Sequence, residues 1–184
     1  MACITEYSLH GILADCNPTL AGITEVWIGY YGDFNVSADT TTYSSAGTCH
    51  NVTSIQKTSG GKDMEHYTFA KQTGSLNSTF TKDETNGVRY WTNAITLQFS
   101  RLEGRKHLEV EALSVEQLVA IVHDGNGRYW YVGYDGYLSA TSSQANTGAS
   151  YDDFSGYQLE MSAMSAFLPL EMTKAQVDSV TGGN

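Results

Sequence analysis

The stretch RYWTNAITLQFS, residues 89–100, decides how this chain is read. Side chains alternate between the two sides of an extended strand, so Trp91, Asn93, Ile95, Leu97 and Phe99 share one face. Tyr90, Thr92, Ala94, Thr96 and Gln98 share the other. The first face is mostly apolar and marks a core, and on that reading Trp91→Asp is expected to block folding. The second is polar but carries no charge, whereas a strand facing bulk water usually shows Lys or Glu.

Outward from this strand the pattern is that of a β protein. Asn86-Gly87, just upstream, supplies the left-handed positions of a tight turn, so residues 66–100 read as one long hairpin. Its return arm, 88–100, would run roughly 40 Å at ~3.3 Å per residue, long enough to project past the core that starts it. Residues 22–30, GITEVWIGY, form an earlier strand with Ile23, Val26 and Ile28 as core contacts. Between them lies the polar segment 31–63. Part of it pairs as a weak hairpin, or it is an arm that docks on a neighbour through Phe34, Tyr43, Val52 and Ile55, or it is a mobile surface loop.

Downstream, 101–113 has the composition of one short helix. VEQLVAIVHDGNGRYWYVGY gives a second hairpin that turns at Asp124-Gly125-Asn126-Gly127. In FSGYQLEMSAM, Tyr157, Leu159, Met161 and Ala163 alternate with polar residues, the signature of a half-buried strand. Pro169 confines any strand near 167–172 to an edge. Residues 173–184 are expected to fray. The expectation is therefore a mainly β, single domain over 1–184: an antiparallel sandwich or partly closed barrel with one flanking helix and a long protruding hairpin.

Composition bounds the chemistry. Twenty acidic residues against ten basic ones give a formal net charge of -10, a poor match to a protein that grips phosphates through Lys and Arg. Cys3, Cys16 and Cys49 are odd in number and scattered, unlike a disulfide framework. The first residues lack the pattern of a signal peptide, and no run approaches the ~20 apolar residues of a membrane span. The expectation is synthesis in a reducing cytoplasm and no membrane partner.

Five histidines show no metal-ligand spacing, and no CxxC or HxxxH run is present. His123-Asp124 falls on a turn. Asp152-Asp153 are neighbours, which point apart on a strand and are too few for a calcium loop. Neither a phosphate-binding loop nor a nucleophile elbow occurs. No catalytic residue, metal or cofactor is expected. Tyr129 and Tyr131 could offer a carbohydrate-stacking platform, although packing explains aromatic residues in a strand as well.

YWTNAITLQFSRLEGRKHLEVEAL, followed by DGNGRYWYVGYDGYLSATSSQANTGASYDDFSGYQLEMSAM, is similar to bacteriophage tail tube proteins over residues 67–164. The resemblance implies a β-sandwich or barrel with a flanking helix, assembled into hexameric rings that stack around a channel, as in the related type VI secretion tubes. It implies a structural virion protein located in the tail, made in the host bacterial cytoplasm. Its partners would be further copies of itself, terminator, tape measure and baseplate or hub proteins, with viral DNA passing through unbound. Tyr90, Thr92, Thr96, Gln98, Phe34 and Tyr43 are then the expected subunit or lumen contacts. Asp83, Glu84, Asp135, Asp152 and Asp153 are the candidate lumen acids, each also readable as an ordinary turn residue. A neck, connector or tail-completion protein on the same fold is the near alternative. A carbohydrate-binding sandwich is the alternative from another class.

Overall fold

The computed structural model describes residues 19–40, 50–70, 73–150 and 152–182. Tyr43, Cys3, Cys16 and Cys49 lie outside that set. The strands are β1 (Ile23–Tyr30), β2 (Phe34–Asp39), β3 (Asn51–Lys57), β4 (Glu65–Thr68), β5 (Ser75–Asp83) and β6 (Val88–Ser100). Helix α1 (Gly104–Val115) follows. Then come β7 (Leu118–Asp124), β8 (Tyr129–Val132), β9 (Ser139–Asn146), β10 (Gly156–Ser165), β11 (Leu170–Met172) and helix α2 (Lys174–Val180).

They form two sheets rather than a closed barrel. One has seven strands in the order β2-β3-β11-β8-β7-β1-β4, and the other has four in the order β5-β6-β10-β9. Pairing is antiparallel except between β11 and β3. The sheets pack face to face, as a sandwich does. Ile95 and Leu97 of β6 and Leu159 and Met161 of β10 meet Val26 and Ile28 of β1 and Ala120 and Val122 of β7 in one core.

Strand β7 reads LVAIVHD, and its continuous apolar run is the mark of a strand covered on both sides. Val119 and Ile121 point away from the sandwich into a second core with Trp27, Phe34, Val52, Tyr131, Leu170 and Val177. Helix α2 closes that core. The molecule thus has three layers, and residues 173–184, expected to fray, provide the third as far as they are described. Thr173 and Gln176 form a reciprocal capping box, while Val177 and Val180 are buried. A T-x-x-Q cap and two apolar residues one turn apart suffice here because the sheet supplies the rest of the burial.

Of the readings open for segment 31–63, the hairpin is the one found: β2 pairs with β3 in the seven-stranded sheet, from Phe34 opposite Lys57 to Asp39 opposite Asn51. Three other expectations are corrected. The short strand after Pro169, β11, lies between β3 and β8 and not at an edge. The stretch before β5 does not continue the long hairpin, because β4 crosses to pair with β1. The chain also has two helices among its described residues, not one.

The core face of β6 is graded along its length. Leu97 and Ile95 are fully buried. Asn93 is buried too, with its Oδ1 accepting from Ser78 Oγ at 2.7 Å and its Nδ2 donating to the Phe167 carbonyl at 3.1 Å. Trp91 is only half-buried and stacks at a tilt on Phe80, which is 47 % exposed. Alternation reports the face of a residue but not its depth. Trp91 sits near the projecting hairpin end, so Trp91→Asp should loosen the tip rather than block folding.

Candidate functional site

The four-stranded sheet turns one face outward. Residues directly opposite each other across strands share a face, so the register defines that face row by row. Gln98 lies opposite Gln158, which lies opposite Gln144. In the next row Ser75, Thr96, Glu160 and Ser142 stand side by side. Asn77, Ala94 and Ser162 follow, then Thr79, Thr92 and Met164, then Thr81 and Tyr90. Tyr90, Thr92, Thr96 and Gln98 are therefore brought together, half-exposed, at the centre of a surface of hydroxyls and amides.

These rows contain no Lys or Arg, and apart from Asp83 at the hairpin end Glu160 is the one carboxylate in them. Glu160 was missed as a functional candidate although its signal was present. It occupies the polar phase of the alternating strand Tyr157-Gln158-Leu159-Glu160-Met161. Gln158 Nε2 donates to Glu160 Oε1 at 3.2 Å, which holds the carboxylate along the strand.

Among the described residues nothing pairs with either edge of this sheet. β5 and β9 have nine and eight residues, and each pairs on one side only. Natural edge strands are commonly blunted by charge, proline or shortness. β9, SATSSQAN, has none of these, and its one irregularity is the extra residue where it pairs with Glu160 and Met161.

Helix α1 lies alongside β9. The Tyr157 hydroxyl donates to the Glu103 carbonyl and accepts from the Glu103 backbone N–H, both at 3.2 Å, and its ring meets His107 edge-on at 5.2 Å. From the other sheet the Tyr67 hydroxyl donates to Glu109. Burial, then this hydrogen bond and the charge of Glu109, push the Tyr67 hydroxyl far above its ordinary pKa, so it stays a neutral donor. Two tyrosines, one from each sheet, thus hold α1 across the side of the sandwich.

The other expected contacts separate. Phe34 is 8 % exposed within the second core, so it belongs to the interior and not to a docking surface. Asp83 and Glu84 lie at the β5–β6 tip, whereas Asp152 and Asp153 lie in the β9–β10 connection at the other end of the sheet. Asp83 accepts from the Asn86 side chain and from the backbone N–H groups of Thr85 and Asn86, and these bonds lower its pKa. Asp153 is lowered in the same way by the backbone N–H groups of Ala149 and Ser150. Asp135 accepts from the Ala166 backbone N–H at 2.6 Å. Glu84 pairs with Lys82, and Asp152 is exposed. Asp83, Asp135 and Asp153 hold loops, and the five acids do not form one patch on the chain.

The aromatic platform is also dispersed. Tyr131 is 2 % exposed in the second core, and Tyr129 stacks on His123 at 4.5 Å with its ring tilted against Trp27. Among the described residues no group of three or more His, Cys, Asp or Glu side chains is placed to hold a metal ion.

Asp124 shows how the β7–β8 turn is fixed. Its carboxylate accepts from the backbone N–H groups of Asn126 and Arg128 and from the Trp130 indole N–H, at 2.8 to 2.9 Å. Burial pushes its pKa up, but these donors outweigh that and hold it below the ordinary carboxylate value. A depressed folded pKa adds stability above the unfolded value of about 3.9, and this is lost as pH falls through the lower folded value. Asp124→Asn is therefore expected to lower stability by about 1–2 kcal/mol at pH 7, with the gap from the parent closing towards pH 2. Urea titrations followed by tryptophan fluorescence at both pH values measure it; an equal gap at both would refute the role given to the charge.

No protein-family model, no curated protein and no solved structure matches this chain.

Proposed function

We propose that the chain is a structural subunit that assembles into rings stacked as a tube of the phage-tail type, with the outward face of the four-stranded sheet lining the bore. One observation carries this reading: a sheet whose two long edges are unpaired among the described residues, with a face almost free of charge. The strand directions agree with it. Four consecutively antiparallel strands leave β5 and β9 running oppositely. Copies related by rotation therefore present β9 to the next β5 in antiparallel sense, and the sheet continues around a closed ring.

The scale is suitable. Six copies would supply about two dozen strands, and at ~4.8 Å spacing and ~40° tilt these close a backbone cylinder roughly 50 Å across. That is wide enough to pass a DNA duplex. A wall without Lys or Arg lacks the groups that release counterions from phosphates, so DNA slides past without being held. Glu160 would contribute a single carboxylate ring per layer.

Negative-stain electron microscopy of the purified protein over a range of salt and protein concentrations tests the assembly, with hollow tubes of constant diameter expected. Rings that never stack would favour the neck or completion role. Monomers under every condition would refute both. Ala94→Lys tests which way the face looks, because Ala94 lies mid-face between Asn77 and Ser162. Tubes of this variant should still form but retain DNA at low salt and release it steeply as salt rises. If the variant folds yet forms no tubes, the face is a protein contact and not a bore.

A further inference from the structure

We infer that Phe80 of one copy seats in the groove between α1 and β9 of the next. The inference rests on the ring reading and names the pocket that joins its subunits. The groove measures about 620 Å³, room for several side chains of an added strand, and Val110, Val115, Ala145 and Tyr157 give it an apolar lining. Its helical side is open to solvent, with Val115 81 % exposed.

The register fixes what an added strand would place there. Ala145 and Ser143 lie opposite Tyr157 and Leu159, so they belong to the core-facing rows of β9. A strand paired to the free edge of β9 therefore turns its own core-facing row into this groove. In β5 that row is Leu76, Ser78, Phe80 and Lys82, opposite Ile95, Asn93, Trp91 and Arg89. Leu76 packs on the chain's own core and Ser78 is bonded to Asn93. Phe80 is left 47 % exposed beside the Trp91 ring.

Charge agrees with the same fit. Arg89, beside a Lys82 already paired with Glu84, follows Phe80 towards the hairpin tip, while Glu111 lines the groove and Glu116 follows the end of α1. The apolar and charged parts of the two surfaces match. They cannot meet within one molecule, because the hairpin tip and α1 sit at opposite ends of β6, a strand of thirteen residues. A second copy is the occupant.

The test replaces Phe80 with photoreactive benzoylphenylalanine and assembles tubes from mixed light and isotopically heavy chains. Irradiation is expected to give light–heavy crosslinks that map to residues 107–115 or 143–145. Tubes whose crosslinks map elsewhere would overturn the groove while leaving the ring reading intact. Failure of the unsubstituted protein to assemble would remove both. Phe80→Ser supplies a second measure, since an exposed tip residue can be changed without unfolding the monomer. The protein concentration needed for half-assembly should rise about tenfold, as for a buried aromatic anchor. Assembly of Phe80→Ser at the unchanged concentration would refute the seat.

Discussion

Leu97→Asp is expected to leave the chain unfolded at room temperature, with flat near-ultraviolet circular dichroism and no cooperative urea transition. Leu97 is fully buried where β6 faces the seven-stranded sheet, among Ile95, Leu159, Met161 and Val26. Removing a leucine from such a site costs about 2–5 kcal/mol. Asp adds the desolvation of a carboxyl group with no polar neighbour in the cluster, which costs a few kcal/mol more even if it takes up a proton. Together these approach or exceed the ~5–15 kcal/mol that holds a typical domain together. Trp91→Asp, on the same face of the same strand, forfeits mainly the Phe80 contact and should cost about 1–2 kcal/mol. Equal loss of folding in the two variants would disprove the graded depth of β6.

Ala145→Lys should abolish tubes while the monomer folds normally. Ala145 is exposed, on the core-facing side of the free edge of β9 and over the α1 groove. In the isolated chain a lysine there can run along the groove and keep its ammonium in water, so monomer stability should change by no more than about 0.5 kcal/mol. Pairing another strand to β9 would trap that ammonium beneath it, and an inward charge on an edge is how natural sheets refuse partners. Sedimentation velocity of parent and variant at one concentration decides the point. Full-length tubes from Ala145→Lys would show that β9 is not the joining edge.

What could be read from the residues was local. Alternation in β6 and β10 identified the two central strands of the smaller sheet and separated their faces. The turns at Asn86-Gly87 and Asp124–Gly127 were legible because they need left-handed backbone, and Gly87 and Gly127 have φ of 65° and 79°. Gly156 was not singled out. Its φ is 154°, and a Cβ there would lie 2.1 Å from the Phe99 carbonyl oxygen, so the start of β10 closes on β6 only with glycine.

What stayed open or escaped depended on distant partners. The pairing of β2 with β3 follows from burial of Phe34, Val52 and Ile55 under a layer that includes α2, and α2 shows only two buried apolar residues of its own. The candidate site divides in the same way. Tyr90, Thr92, Thr96 and Gln98 were marked by the missing charge in their own strand. Glu160 stood in the polar phase of its own strand, but its place beside Thr96, like the Gln98, Gln158 and Gln144 row, became visible only once the strands were in register.

The two-sided burial of β7 bears on how the molecule comes apart. Ala120 and Val122 serve the sandwich while Val119 and Ile121 serve the layer under α2, along a single run of backbone. Neither layer can melt and leave the other intact, because losing one strips half the side chains from the strand that anchors both. Heat therefore meets a single cooperative unit, and a subunit loosened at its C-terminal helix is weakened through to the opposite sheet.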